Sequence, residues 1–383
     1  MHQHWRPRFP HRIAGLIAIL CLSRTLSAQT EAAASKPPSY PSFKVAARLH
    51  FQGYYFDNDE YATAGFGNPG PKSSFFTRRA RIEIAGKLSE RVSFIVQPSF
   101  ENGGGREPNL RLRDAYIDVI LSSEVGASQV KLRFGQEKRP FNRYELLSAN
   151  NLPSIERGAG RGLLPQGSNN YFERAGFLSH DVGISVLGKL GSVATAQVGL
   201  YNGTGESFID NNNSKSFGVR LTSSVGSKVN LGASYFSHDG IVTPPQPAPP
   251  APAGTPDSAF RNNAFGLDAS WGKPGDAGFF AVADYMRGEA FRNGLPSMSG
   301  LSVVSAYHFR LARVGLYAIE PALRFDTADP DSETDKDASA LLTAVLGLYL
   351  NSSTIFRVAY ERQHFERNGP STAGIRTAMT VHF

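Results

Sequence analysis

An alternation of apolar and polar residues with a period of two recurs along almost the whole chain, and it constrains the fold more than any other feature. Within residues 44–56, Val45, Leu49 and Phe51 share one parity, and Arg48 takes the other. Successive side chains of a β-strand point to opposite faces, so the pattern predicts strands with one apolar and one polar face. The segments that follow it are 44–56, 75–88, 92–101, 110–121, 129–136, 180–189, 193–202, 214–225, 228–238, 261–272, 277–288, 299–310, 313–326, 337–350, 353–366 and 373–383.

The connections between these segments alternate between short and long. The short ones are Ser89-Glu90, Gly191, Gly226-Ser227, Leu311-Ala312 and Asn351-Ser352. The long ones are 58–74, 137–179, 203–213, 239–260 and 327–336. Short periplasmic turns and long outer loops give a bacterial outer-membrane barrel this rhythm. We therefore expect an all-β fold, a transmembrane antiparallel β-barrel of about sixteen strands. A soluble β-sandwich, or two in series, is the competing fold, because it also has many short strands.

The N-terminal residues have the layout of a secretory leader. Three arginines (Arg6, Arg8 and Arg12) precede an apolar run at 13–22, and small residues at 26–28 offer a cleavage site. The sequence thus predicts a signal peptide at 1–28, a periplasmic tail at 29–43 and the barrel at 44–383. A lipoprotein anchored at Cys21 is an alternative, although Leu20 stands where a small residue is required.

Charge and cysteine content narrow the function. Cys21 is the single cysteine, so the exported chain has neither a disulfide nor a thiolate metal site, and no cofactor is expected. The formal charge is +7, but four arginines and no acidic residue precede residue 29, which leaves +3. A net charge this small does not indicate a nucleic-acid-binding protein. The mean hydropathy of -0.26 does not oppose a barrel, because alternating strands average to an unremarkable value.

Strand parity also predicts which charges line the lumen. If the apolar parity faces lipid, several basic residues turn inward, and guanidinium groups there would attract oxyanions. These are Arg48, Arg79, Arg81, Arg133, Arg220, Arg324, Arg357 and Arg376. The same parity turns Glu83, Asp114, Asp118, Asp268, Asp284, Glu320, Asp326 and Glu361 inward. The two signs roughly balance, so a mixed transverse field and an anion-selective lining both remain open.

The chain ends on an amphipathic strand whose last residue is Phe383. A terminal aromatic residue resembles the address read by the barrel assembly machinery, which we expect as a partner together with outer-membrane lipid. The closing strand must pair with the first one, because an open edge in lipid leaves backbone groups unsatisfied.

The link at 137–179, named here the third loop, is far longer than ordinary connections, and loops of that length are usually functional. At its start Lys138, Arg139 and Arg143 form a dense basic group. They either contact a solute or pair with nearby acidic residues, namely Glu137, Glu145 and Glu156.

The third loop and several strands carry motifs that resemble the phosphate-selective porin O and P family. The matching stretches are Phe134-Gly135-Gln136-Glu137-Lys138-Arg139-Pro140-Phe141, Ser154-Ile155-Glu156-Arg157, Phe76-Thr77-Arg78-Arg79-Ala80-Arg81, Asp114-Ala115-Tyr116-Ile117-Asp118, Asp181-Val182-Gly183 and Tyr201-Asn202-Gly203. The resemblance implies a sixteen-stranded barrel, often a homotrimer, whose third loop folds inward as a constriction.

Together these features predict an outer-membrane porin for passive diffusion of small hydrophilic solutes, with anions such as phosphate or polyphosphate as candidates. The predicted pore-lining residues are Arg48, Arg79, Arg81, Asp114, Arg133, Lys138, Arg139, Arg143 and Arg220. An enzyme is not expected, because Ser179-His180 and Ser237-His238 are sequence neighbours whose side chains point to opposite faces of a strand. An adhesin or structural barrel remains the alternative outside transport.

Overall fold

The computed structural model describes residues 39–57, 72–101, 109–122, 129–157, 168–191, 193–206, 209–210, 212–242, 258–289, 297–313, 315–366 and 371–383. The predicted signal peptide and the Pro-rich segment 243–252 lie outside these residues. The barrel occupies the compact unit Tyr40–Phe383.

Sixteen antiparallel strands form one closed sheet, in which each strand pairs with its neighbours in sequence and β1 pairs with β16. This architecture confirms the predicted fold class. The strands are β1 (Ser42–Phe56), β2 (Ser73–Lys87), β3 (Val92–Glu101), β4 (Asn109–Ile120), β5 (Gln129–Lys138), β6 (His180–Leu190), β7 (Ala194–Tyr201), β8 (Ser216–Val225), β9 (Val229–Val242), β10 (Ser258–Trp271), β11 (Gly278–Glu289), β12 (Ser297–Arg313), β13 (Leu316–Asp329), β14 (Ser339–Asn351), β15 (Thr354–Phe365) and β16 (Thr372–His382).

The seam of the barrel shows how the sequence closes the sheet. Leu49 pairs with Val381 and Phe51 with Met379, so apolar side chains face the same side across the β1–β16 junction. Beyond β16, the Phe383 backbone N–H donates to the Ala47 carbonyl oxygen at 3.1 Å. No open edge remains at this junction, as a strand pair in hydrocarbon requires.

The two faces of the sheet differ in burial as the alternation predicts. Ile82 and Ile84 on β2 are exposed, whereas Arg79 and Arg81 are buried. Large apolar side chains therefore form the outer surface, and the inner wall carries polar and charged side chains together with buried apolar residues on β11–β16.

Several strands run beyond their predicted ends. β9 continues to Val242 and β10 begins at Ser258, both inside the region predicted as the loop 239–260. There Arg261 Nη2 lies 2.7 Å from Asp239 Oδ2, so the ladder extends through an ion pair that sequence alternation does not reveal. β5 likewise reaches Lys138, and the third loop therefore begins one residue after that position.

The third loop contains the helical elements α1 (Arg143–Leu146), a short 3-10 helix (Ala149–Asn151) and α2 (Ser168–Arg174). Among the described residues, no helix has the length and apolar character needed to cross a membrane.

Candidate functional site: the charged lumen and the third loop

Among the register shifts of the described ladders, the β-bulges on β2 and β4 break the strict alternation at charged residues of the inner wall. On β2, His50 pairs with Arg79 and Phe51 pairs with Thr77, which leaves Arg78 as an extra residue. A bulge of this kind bends the strand and shifts its side-chain parity by one. As a result Arg78 and Arg79, although adjacent in sequence, both contact the carboxylate of Glu156 inside the barrel.

The second bulge lies on β4, where Val96 pairs with Ala115 and Pro98 pairs with Leu112. Arg113 and Asp114 together oppose Gln97, so β4 has one extra residue there. Both contact groups inside the barrel, since Arg113 forms an ion pair with Glu206 and Asp114 Oδ1 lies 3.4 Å from His180 Nε2.

Gln136 on β5 supports the β4 bulge. Its side-chain amide donates to the carbonyl oxygens of Leu112 and Arg113, groups that the irregular ladder leaves available. The preceding Gly135 has a φ of 128°, and an added Cβ there would collide with the Ala115 carbonyl oxygen. Gly135 therefore lets the β4 backbone approach closely, and Gln136 satisfies its carbonyl oxygens around Arg113 and Asp114.

Glu156 anchors the third loop to the inner wall. Its carboxylate accepts hydrogen bonds from Gln52 Nε2 at 2.7 Å, Arg78 Nε at 2.9 Å and Arg79 Nη2 at 2.9 Å. Burial alone would raise the pKa of Glu156, but Arg78 and Arg79 outweigh burial and hold that pKa far below its ordinary value. The Glu156 carbonyl oxygen accepts from Arg324 Nη1 at 2.6 Å, so one residue links β1, β2 and β13.

Apolar packing holds the same part of the loop against the opposite wall. Tyr144, Leu152 and Ile155 are buried in a cluster with small and branched side chains of β11–β16. The wall residues of that cluster are Phe280, Val282, Val304, Ala306, Ala322, Val345, Ala359 and Ala378. We call these wall residues the covered sector, because the loop removes them from water.

Asp284 on β11 fixes the start of α1. Its two carboxylate oxygens accept the backbone N–H groups of Arg143 at 2.9 Å and Tyr144 at 3.2 Å. A carboxylate is favourable at this position because the first N–H groups of a helix have no partner within it. A second apolar cluster, with Phe141, Phe172 and Phe177 at its centre, holds the two ends of the loop together.

Asp181 joins the root of the third loop to the next outer loop, residues 202–215, named here the fourth loop. The fully buried carboxylate accepts from Arg139 Nη2 at 2.8 Å and from the backbone N–H groups of Gly203 at 2.9 Å and Gly205 at 3.3 Å. Gly203 has a φ of 88°, and a Cβ there would collide with the Asp239 carbonyl oxygen.

The predicted site residues are distributed over several contacts. Arg48 pairs across the β1–β2 ladder with Arg81, beside Arg79. Arg48 Nη2 lies 3.6 Å from Glu83 Oε2, and Arg81 forms an ion pair with Glu101. These three arginines are brought together on one stretch of wall.

The remaining predicted residues are separated. Arg133 contacts Asp118, and Arg220 forms a buried pair with Asp268. Lys138 Nζ lies 3.6 Å from Glu145 Oε1, whereas Arg139 is occupied by Asp181. The Arg143 side chain lies near Asp268, Asp284 and Arg220 on β10, β11 and β8. The structure does not bring the three basic residues of the loop start into one group, and the pairs with acidic residues dominate.

A model of the family described as phosphate-selective porin O and P matches residues 44–240, just over half of the 383 residues. The chain belongs to this family. The predicted family, the location in the bacterial outer membrane and the assignment to a non-enzymatic class are thereby confirmed.

Solved porin structures share the fold of this porin. The anion-selective porin from Comamonas acidovorans superimposes with a TM-score of 0.61 at 12% identity, over 90% of this chain and 100% of that one. OmpT of Vibrio cholerae, in its trimer form, superimposes with a TM-score of 0.57 at 8% identity, over 90% of this chain and 100% of that one. OprB of Pseudomonas putida superimposes with a TM-score of 0.56 at 10% identity, over 89% of this chain and 94% of that one. At these identities the likeness shows the fold alone. A search of curated protein sequences gave no significant match.

The family motifs of this porin meet in the structure. Arg139 of the first motif, Asp181 of Asp-Val-Gly and Gly203 of Tyr-Asn-Gly form one clamp, and Glu156 of Ser-Ile-Glu-Arg joins the two adjacent arginines of β2. Within the described residues, no group of three or more His, Cys, Asp and Glu side chains could hold a metal ion.

Parity reasoning missed Arg78 and Arg113 as inward-facing residues of this porin. The signal was present, because the apolar parity on β2 changes between Thr77 and Ala80. The same change occurs on β4 between Leu112 and Ala115. Arg157 and Glu206 were also missed, and no local pattern identifies them, since both lie in loops.

Proposed function

We propose that this porin allows passive diffusion of small hydrophilic solutes and prefers anions such as phosphate. The covered sector is sealed by the third loop, so solutes would pass along the opposite wall. That wall consists of the inward-facing ion-paired side chains of β1–β5 with their loop partners Glu145, Glu156, Arg157 and Glu206. We call it the charged sector.

The observation that carries the proposal is an unequal exposure of bases and acids in the charged sector. Among the described ion-paired residues of the sector, eight of ten basic side chains are more than a tenth exposed, but only four of eight acidic side chains are. The exposed bases are Arg48, Arg78, Arg111, Arg113, Lys131, Arg133, Lys138 and Arg157. The total charge of the wall is nearly balanced, yet the charge that meets solution is positive.

This arrangement favours anions for a physical reason. In a narrow passage the effective dielectric constant falls, so each exposed charge acts more strongly than it does at an outer surface. Guanidinium groups also present paired N–H donors that match carboxylate and phosphate oxygens. Acids such as Glu101 and Glu156 are buried between the arginines and hold their side chains in place.

Single-channel recording of the purified protein in a planar bilayer tests the proposal. We expect discrete conductance steps, and in a KCl gradient a reversal potential on the anion-preferring side. An adhesin or structural barrel would give no steps, and a cation-preferring reversal potential would reject the assigned selectivity.

We further propose a homotrimer as the assembly, since the family resemblance implies it and OmpT of Vibrio cholerae is described in a trimer form. Native mass measurement in mild detergent tests this, and a monomer mass would reject it.

A further inference from the structure

The fourth loop enters the barrel mouth through a fixed backbone segment. Gly203 and Gly205 donate their N–H groups to Asp181, and the Gly203 carbonyl oxygen lies 3.0 Å from His238 Nε2 and 3.3 Å from Arg139 Nη2. These contacts position the next residue, Glu206, against β4 and β6.

Three basic side chains converge on the Glu206 carboxylate. Arg113 Nη1 forms an ion pair with Oε1, Arg111 Nη1 lies 3.8 Å from Oε2, and His180 Nδ1 lies 3.4 Å from Oε1. Burial alone would raise the pKa of Glu206, but His180 and Arg113 outweigh burial and keep that pKa below its ordinary value. Glu206 is therefore a carboxylate at neutral pH.

The site is open to solution on the Arg111 side, whereas His180 is buried. The Arg111 side chain is 39% exposed and Asp114, on the other side of His180, is 29% exposed. Arg113 Nε has no hydrogen-bond partner among the described residues. A solute descending through the mouth would reach these groups as part of the charged sector.

We propose that Arg111, Arg113 and His180 form an oxyanion-binding site that is filled by the chain's own Glu206 carboxylate, which competes with entering anions. The inference rests on the proposed function of anion diffusion and assigns one residue that sets its selectivity. A carboxylate held on a short tether has an effective concentration in the millimolar range or above, so weakly binding anions do not displace it. Multivalent oxyanions displace it more readily than chloride, because they use both N–H groups of a guanidinium.

The test compares Glu206→Gln with two controls. Glu206→Asp keeps the charge, and Asp210→Asn removes one charge from the same loop at a carboxylate that pairs with Lys215 instead. Inorganic phosphate binding to the detergent-solubilised full-length proteins is measured by isothermal titration calorimetry, and block of chloride current by phosphate is measured in planar bilayers.

We expect Glu206→Gln to bind phosphate about tenfold more tightly than the wild type, since a charge-assisted competitor is removed. Asp210→Asn should stay within about twofold of the wild type, and Glu206→Asp, which keeps the charge on a shorter side chain, should gain less affinity than Glu206→Gln. Adding Arg111→Gln to Glu206→Gln should abolish most of the gain. Equal phosphate affinity in Glu206→Gln and wild type overturns the inference, as does an equal gain in Asp210→Asn. A wild type that binds phosphate but does not conduct would instead reject the proposed function and leave the affinity comparison to decide the site.

Discussion

Two parts of the inner wall have the same inward parity but present their charges differently. On β13–β16, Arg324 pairs with Asp326 and Arg376 pairs with Glu361, and all four side chains are at most 6% exposed. In the charged sector most bases remain partly open to solution. Strand alternation decides which charges enter the barrel, and the third loop decides which of them meet water.

The difference follows from what each wall offers to the loop. The covered sector supplies alanines and valines that leave room for Leu152 and Ile155, and burial of such side chains stabilises by roughly 1.5–3 kcal/mol each. The charged sector contacts the loop through polar groups, mainly the pair of arginines around Glu156 and Lys138 beside Glu145. We expect the loop to stay on the apolar wall and to leave the charged wall accessible.

Removing the loop should have the largest effect. Replacing residues 143–171 by a short Gly-Ser linker keeps Arg139 and Phe177 at the loop root and should raise single-channel conductance several-fold, because the covered sector then opens to water. Deleting the Pro-rich residues 243–252 is the matched control and should leave conductance unchanged. Equal conductance of the loop-shortened variant and the wild type would show that the loop does not narrow the pore.

Weakening the anchor should have the next largest effect. Glu156→Gln leaves Arg78 and Arg79 without their shared buried carboxylate, at a cost of about 3 kcal/mol. The midpoint of heat denaturation, followed by the gel shift of the folded barrel, should fall. Glu83→Gln removes the same charge from a more exposed pair and should change the midpoint little. A larger shift for Glu83→Gln than for Glu156→Gln would contradict the anchor.

Neutralising the loop-start residues one at a time separates their roles. Lys138→Gln removes a partly exposed charge and should roughly halve the anion-to-cation permeability ratio, with a smaller loss of thermal stability than Arg139→Gln causes. Arg139→Gln leaves the buried Asp181 unpaired and should lower thermal stability instead. Reversal potentials and denaturation midpoints of both variants check this, and the opposite division of effects would refute it.

Lowering the pH from neutral to mildly acidic should have the smallest effect. Because Glu156 and Glu206 have folded-state pKa values below those of the unfolded chain, their contacts are fully stabilising above the unfolded value. That stabilisation is lost only as the pH falls through the lower folded-state value. The stabilisation that these two carboxylates provide should therefore stay constant from about pH 7 to about pH 4.5. It is measured as the difference in denaturation midpoint between the wild type and Glu156→Gln or Glu206→Gln, and a fall of that difference within the interval would contradict the lowered pKa values.

The strands were predictable because parity and connection length are local properties. The sixteen segments were found within a few residues, and errors arose where an ion pair such as Arg261–Asp239 extended a ladder. The bulge at Arg78 was readable as a change of apolar parity between Thr77 and Ala80, although a strict alternation hides it.

The grouping of charges was not predictable in the same way. Lys138, Arg139 and Arg143 are close in sequence, but each contacts a different element, because the loop turns sharply after β5. Pairing with Glu145 or Asp181 depends on the path of about forty residues, and no local pattern encodes that path.

Cysteine accessibility tests the difference between the two walls most directly. The single native cysteine, Cys21, lies in the predicted leader, so each introduced cysteine is the only thiol in the barrel that the reagent can label. Arg48→Cys and Asp114→Cys probe the charged sector, and Val345→Cys and Ala359→Cys probe the covered sector. A small membrane-impermeant thiol reagent should label the first pair at least about tenfold faster, since the second pair is buried under the third loop. Equal labelling rates at all four positions would contradict a wall that the loop covers and a wall that it leaves open.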